Sequence, residues 1–130
     1  MFSSAAQFTL VIAAISGLLS VAFGAFGAHA LRDRLDEYAQ GVYATAVQYQ
    51  FYHSLALLAL GLLLTQFPHS ALLKSGALLF LLGILMFSGS LYALSFTGLR
   101  WLGAITPLGG LAFIAAWACL AAASWKLLAT

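Results

Sequence analysis

Charge is what this sequence has least of. Five residues are Lys or Arg and three are Asp or Glu, so 6% of the chain is charged, against roughly 25% in soluble domains. The eight are Arg32, Asp33, Arg34, Asp36, Glu37, Lys74, Arg100 and Lys126, and they leave four uncharged runs: 1–31, 38–73, 75–99 and 101–125. A charged side chain at the bilayer centre costs about 2.5–3.5 kcal/mol, so runs without any are where a chain crosses a membrane. About 20 apolar residues in a helix cover a hydrocarbon core of about 30 Å, and each run is longer than that.

Cysteine is nearly absent as well: Cys119 stands alone, which excludes an internal disulfide. Its place inside the last apolar run marks it as a buried, inert thiol. The scarcity of Lys and Arg excludes the clustered basic face that nucleic-acid binding needs. Alternation is missing too. Leu55 to Leu64 reads LALLALGLLL, whereas a transmembrane barrel strand alternates apolar and polar residues over about 10 positions. With 64% hydrophobic residues, the solvent of this surface is lipid and the expected fold is all-α: an integral membrane bundle of four transmembrane helices. One domain over 1–130 is expected, with spans at about 6–31, 44–66, 70–95 and 101–127.

The first run reads as a retained helix. Ala28-His29-Ala30 has the small-x-small form of a cleavage site, but MFSSAAQ carries no basic n-region and the apolar stretch exceeds the 7–15 residues of a signal core. Ala13, Gly17, Ser20, Gly24 and Ala28 recur at intervals of three and four, a stripe on which another helix can approach closely. RDRLDE at 32–37 belongs in the headgroups or water. Leu35, Tyr38, Val42 and Thr45 continue it at helical spacing, so a short interfacial helical connection is expected between the first and second spans, with Gly41 as a bend. Pro68 ends the second span, and Thr106-Pro107 with Gly109-Gly110 predicts a kink or delayed start in the fourth.

Four strings are more specific than composition: GAFGAHAL at 24–31, YQFYHSLALL at 49–58, FSGSLYALSFTG at 87–98 and ITPLGGLAFIAAW at 105–117. In order and spacing the chain resembles, over nearly its whole length, the family of small four-span membrane proteins of unknown function typified by bacterial YgdD and YwdK, related to eukaryotic transmembrane protein 256. The resemblance implies a bacterial inner-membrane protein and supplies no reaction, cofactor or catalytic residue.

An ionisable group at membrane depth is a functional candidate by default, which singles out His29 and His53. Both fall near the RDRLDE side of their expected spans. With Tyr49, four residues before His53, and Tyr92 they form the candidate ligand or polar cluster, weighed against plain structural hydrogen bonding. Haem ligation at the histidines has little support, and His69 reads as an exposed turn residue. No Ser/His arrangement has a third group to orient the base, and Asp33, Asp36 and Glu37 among arginines read as a solvated, helix-capping cluster. No catalytic or metal site is assigned, no cofactor is implied, and no enzyme is expected.

Three function classes remain: an accessory or interaction subunit of a membrane complex, with a homo-oligomer or membrane-protein partner; an oligomeric channel or transporter lined by Thr45, Gln48, Tyr52, His53, Ser88, Ser90 and Thr106; and a membrane redox or haem-binding protein. Lys74 and Lys126 fall on the side of the termini, Arg32, Arg34 and Arg100 on the other. The positive-inside rule then leaves both termini periplasmic, by one residue.

Overall fold

The computed structural model describes residues 2–129. Its elements are α1 (Ser4–His29), α2 (Glu37–Gln66), α3 (Ala71–Gly83), a π-helical turn (Ile84–Ser88), α4 (Gly89–Thr97), a 3₁₀ turn (Arg100–Ala104) and α5 (Thr106–Leu128). α3, the π turn and α4 form one span, Ala71–Thr97, and the 3₁₀ turn with α5 forms the last, Arg100–Leu128. The expected all-helical, four-span membrane fold is what the chain adopts.

Local chemistry sets the helix ends. Ser3, Asp36 and Ser70 cap α1, α2 and α3 by accepting the backbone N–H of Ala6, Ala39 and Leu73 at 3.2, 2.7 and 3.3 Å. Gly98, at φ 69°, closes the third span in the left-handed conformation that a residue with a Cβ resists, its N–H on the Leu94 carbonyl at 2.8 Å. Pro107 sits in the first turn of α5, where a missing N–H is tolerated, so the fourth span has the delayed start that its sequence predicts.

The interfacial helical connection is realised differently. Residues 30–36 are turns, tied by the Gln40 side chain, whose Nε2 donates to the Arg32 and Leu35 carbonyls at 2.8 Å each. Asp36 caps a helix that starts at Glu37, so the helical spacing of Tyr38, Val42 and Thr45 belongs to α2 itself, and Gly41 lies within that continuous helix. At 1.5 Å per residue this helix is about 45 Å long, more than the roughly 30 Å that a hydrocarbon core requires.

Successive spans are antiparallel neighbours. α1 packs along α2, α2 along the third span, and the third span along α5. The middle two therefore bury 44% and 39% of their most apolar windows, and the outer two only 17% each. On α1 the face against α2 is Ala6, Thr9, Ala13, Ser16 and Ser20. Ala13 and Ser20 of the expected stripe are buried there, while Gly17 has open space beside it and Ala28 is exposed. The core is aliphatic at the end of α2 away from the RDRLDE turn, with Leu57, Leu60, Leu64 and Leu73 fully buried.

The third and fourth spans meet most closely where Gly109 lies against Phe87. A Cβ on Gly109 would fall within 2.8 Å of the Phe87 Cα, a backbone atom that no rotamer change can move. The π turn brings this about: one extra residue in the coil shifts the helical phase by about 100° and re-aims Phe87 and Ser88. Gly109→Ala is therefore expected to destabilise the protein by about 1–3 kcal/mol through overpacking. Gly89→Ala, with nothing within 4 Å of its new methyl, is expected to be neutral or stabilising by up to about 0.5–1 kcal/mol. Thermal unfolding of both variants in one detergent checks this, and equal shifts would contradict it.

Candidate functional site

α2 turns 100° per residue, so Gln50 and Ser54 share one face and Tyr49 and His53 the next. The structure uses these two faces for different clusters, and the four residues singled out from the sequence are divided between them and the membrane surface.

The first cluster joins three spans through hydrogen bonds. Gln50 Nε2 donates to the Ser16 carbonyl at 3.1 Å, while Gln50 Oε1 accepts from the Tyr92 hydroxyl of α4 at 2.6 Å. Ser54 donates to Ser16 Oγ or to the Gln50 carbonyl, each 2.6 Å away. Gln50 is 5% and Ser54 2% exposed. Nearer the RDRLDE turn, the Tyr43 hydroxyl donates to the Phe23 carbonyl at 2.6 Å, and Tyr92 packs edge-on against Phe23 and Tyr43, with centroids 5.4 Å away in both cases.

The second cluster is aromatic. His53, 7% exposed, lies flat against Phe113 of α5, with ring centroids 3.5 Å apart and planes 7° off parallel. Its Nδ1 is 2.7 Å from the Tyr49 carbonyl. A carbonyl only accepts, so Nδ1 carries a proton and donates it to Tyr49. Tyr49 stacks on Phe87 at 4.4 Å, and Phe80 and Trp117 close the collar edge to face at 5.2 Å. Phe113 fills the space left by Gly83, where a Cβ would collide with its ring.

His29 joins neither cluster. It is exposed in the last turn of α1. Ser16 faces Ser54 and Gly27 faces Tyr43, so His53 is level with about Gly17, and the twelve residues from Gly17 to His29 amount to about 18 Å along the bundle. Two imidazoles that far apart cannot share a metal whose bonds to nitrogen are about 2 Å. The start of α2 explains the difference from expectation: with the helix beginning at Glu37, His53 lies in its middle rather than near its end. Tyr49 and His53 are brought together, and Tyr92 reaches the adjacent face of α2, that of Gln50. Among the described residues no three His, Cys, Asp or Glu side chains converge as metal ligands.

The polar band that could have lined a path does not converge either. Ser88 donates to the Ala46 carbonyl at 2.7 Å, Ser90 pairs with Thr106 at 2.6 Å, and Thr45 turns back to the Gly41 carbonyl at 3.0 Å. Gln48 and Tyr52 are on the outer surface. Among the described residues every buried side-chain N or O atom has a hydrogen-bond partner. Ser16, Gln50 and Ser54, the centre of the polar cluster, were not singled out from the sequence. The available signal was the i, i+4 pair Gln50/Ser54 in an otherwise apolar helix.

These features define a class: a four-span, all-helical integral membrane protein whose interior polar groups are satisfied by one another. The profile of a family described as protein of unknown function (DUF423) matches residues 23–110, and the chain belongs to that family. It is 44% identical over 120 residues to the UPF0382 membrane protein YwdK of Bacillus subtilis, covering 92% of this chain and 97% of the relative. It is 39% identical over 121 residues to the UPF0382 inner membrane protein YgdD of Escherichia coli, covering 93% and 92%. A staphylococcal relative, the UPF0382 membrane protein SH2409 of Staphylococcus haemolyticus, is 44% identical over 117 residues. No solved structure matches the chain.

Because Tyr92 and Gln50 depend on each other, their substitutions should not add. Tyr92→Phe is expected to cost about 0.6–1.7 kcal/mol, the range of hydrogen bonds measured between membrane helices. Gln50→Leu should cost more, since it also strips the bond to Ser16, and the double variant should cost less than the two together. His29→Ala should stay within about 0.5 kcal/mol of the parent. Unfolding by SDS titration from mild detergent measures all four, and strict additivity would show that the hydroxyl and amide are not coupled.

Proposed function

We propose that this protein is an accessory or interaction subunit of the bacterial inner membrane, a rigid platform held by a membrane-protein partner or a second copy, with no chemistry of its own. The observation that carries the reading is the self-satisfied interior. A conduit needs polar groups left free to meet a passing solute, and here Gln50, Ser54, Ser88, Ser90 and Thr106 bind backbone or one another. The outer spans meanwhile present long apolar faces, with Leu18 on α1 and Ile114 on α5 each 66% exposed.

A second reading, an oligomeric channel or transporter, is favoured by one feature: Gln48 and Tyr52 point outward from α2 within the membrane, where a further copy could satisfy them. A redox role has only His53 in its favour. The test combines two measurements. Proteoliposomes carrying the protein are expected to pass ions and small solutes no faster than empty ones, and a photo-crosslinking residue at position 18 or 114 should give a protein adduct of defined mass in cells. Flux that rises with protein density overturns the accessory reading, as does crosslinking to lipid alone at both positions.

We further infer that both termini face away from the cytoplasm. The support is the excess of Arg32, Arg34 and Arg100 over Lys74 and Lys126, since the rule counts basic residues and gives acids little weight. A phosphatase that works only outside the cytoplasm should be active when fused to the C-terminus, and a fluorescent protein that folds only inside should be dark. Fluorescence alone reverses the orientation. Strong signals from both indicate dual insertion and likewise overturn it.

A further inference from the structure

We propose that a groove between α1 and the third span binds one acyl chain of an anionic phospholipid, with the lipid phosphate on Lys74. α1 and α3 each pack on α2, and the gap between them is a cavity of about 170 Å³ open to the bilayer. Leu57 and Leu64 of α2 form its floor, Phe8 and Ile12 of α1 one wall, and Ala77 and Leu81 of α3 the other. The hydroxyl in the lining, that of Thr9, is turned away to the Ala5 carbonyl at 2.7 Å, so the groove offers hydrocarbon to hydrocarbon. From Lys74 to Leu81 it extends about 10 Å along α3, parallel to the direction in which lipid chains run.

The charge sits at the correct end. Lys74 follows the N-cap Ser70 by one turn, which puts its ammonium at the headgroup mouth of the groove. Asp33, Asp36 and Glu37, the chain's only acidic side chains, lie in the turn after α1 and at the start of α2, at the opposite end of the bundle. A cation in the first turn of a helix is also opposed by the helix dipole, which raises the demand for an anion there. At a membrane surface that anion is a lipid phosphate. Zwitterionic lipids carry their own ammonium beside the phosphate, so a net anionic headgroup is preferred.

Native mass spectrometry from mixed micelles with equal phosphatidylglycerol and phosphatidylcholine tests this. The parent protein is expected to retain phosphatidylglycerol preferentially. Lys74→Gln should lower that retention about fivefold, the factor equivalent to the ~1 kcal/mol that a basic residue gains near an anionic surface. Lys126→Gln, on the same side but outside the groove, should leave it unchanged. Ala77→Phe, which fills the groove, should reduce retention of both lipids while the helical circular dichroism stays that of the parent. Equal effects of the two lysine changes overturn the proposal. So does lipid retention unaffected by Ala77→Phe, which would mean that a headgroup alone is held. A dimer abolished by Ala77→Phe and indifferent to Lys74→Gln would assign the groove to a second copy and likewise overturn it.

Discussion

The rest of the structure depends on one constraint: inside a bilayer there is no water to satisfy a polar side chain, so each must find its partner in the protein. Gln50 is where this constraint acts most strongly. Its amide has both donors and an acceptor, and it is met from two directions, by Ser16 on α1 and by Tyr92 on α4. Those bonds hold the first and third spans against the second at one register. Apolar contacts alone would not do so, because lipid tails are as apolar as leucine and give helices no hydrophobic reason to associate.

Close approach does the remaining work. The third and fourth spans share few hydrogen bonds, among them Ser90 with Thr106, and are joined by shape instead: Gly109 admits the Phe87 backbone and Gly83 admits the Phe113 ring. Phe113 in turn stacks on His53 and links the fourth span to the second. Thus α2 carries hydrogen bonding on the face toward α1 and aromatic packing on the face toward α5. His53 is held by that packing, with its Nδ1 proton committed to the Tyr49 carbonyl. The proposed role as a membrane platform follows from this economy, since a bundle whose buried polar side chains, among the described residues, are engaged has rigidity to offer and outer faces to present.

The sequence alone determined the solvent, the fold class and the number of spans. Eight charges in 130 residues leave only four stretches long enough to cross a bilayer, and a membrane span must be helical because its backbone has to bond within itself. Four dispersed strings also pointed to the family that the comparisons show. Only the tertiary structure decided where α2 begins, and with it the depth of His53. Helical spacing cannot distinguish an interfacial helix from the first turns of a span, whereas a cap at Asp36 and the Gln40 side chain can. Tertiary structure likewise split Tyr92 from Tyr49 and His53 and assembled Ser16, Gln50 and Ser54. Which polar side chains meet depends on the rotation of each helix about its own axis, and that rotation is set by contacts between spans dozens of residues apart, such as Ser16 with Ser54 and Ala46 with Ser88.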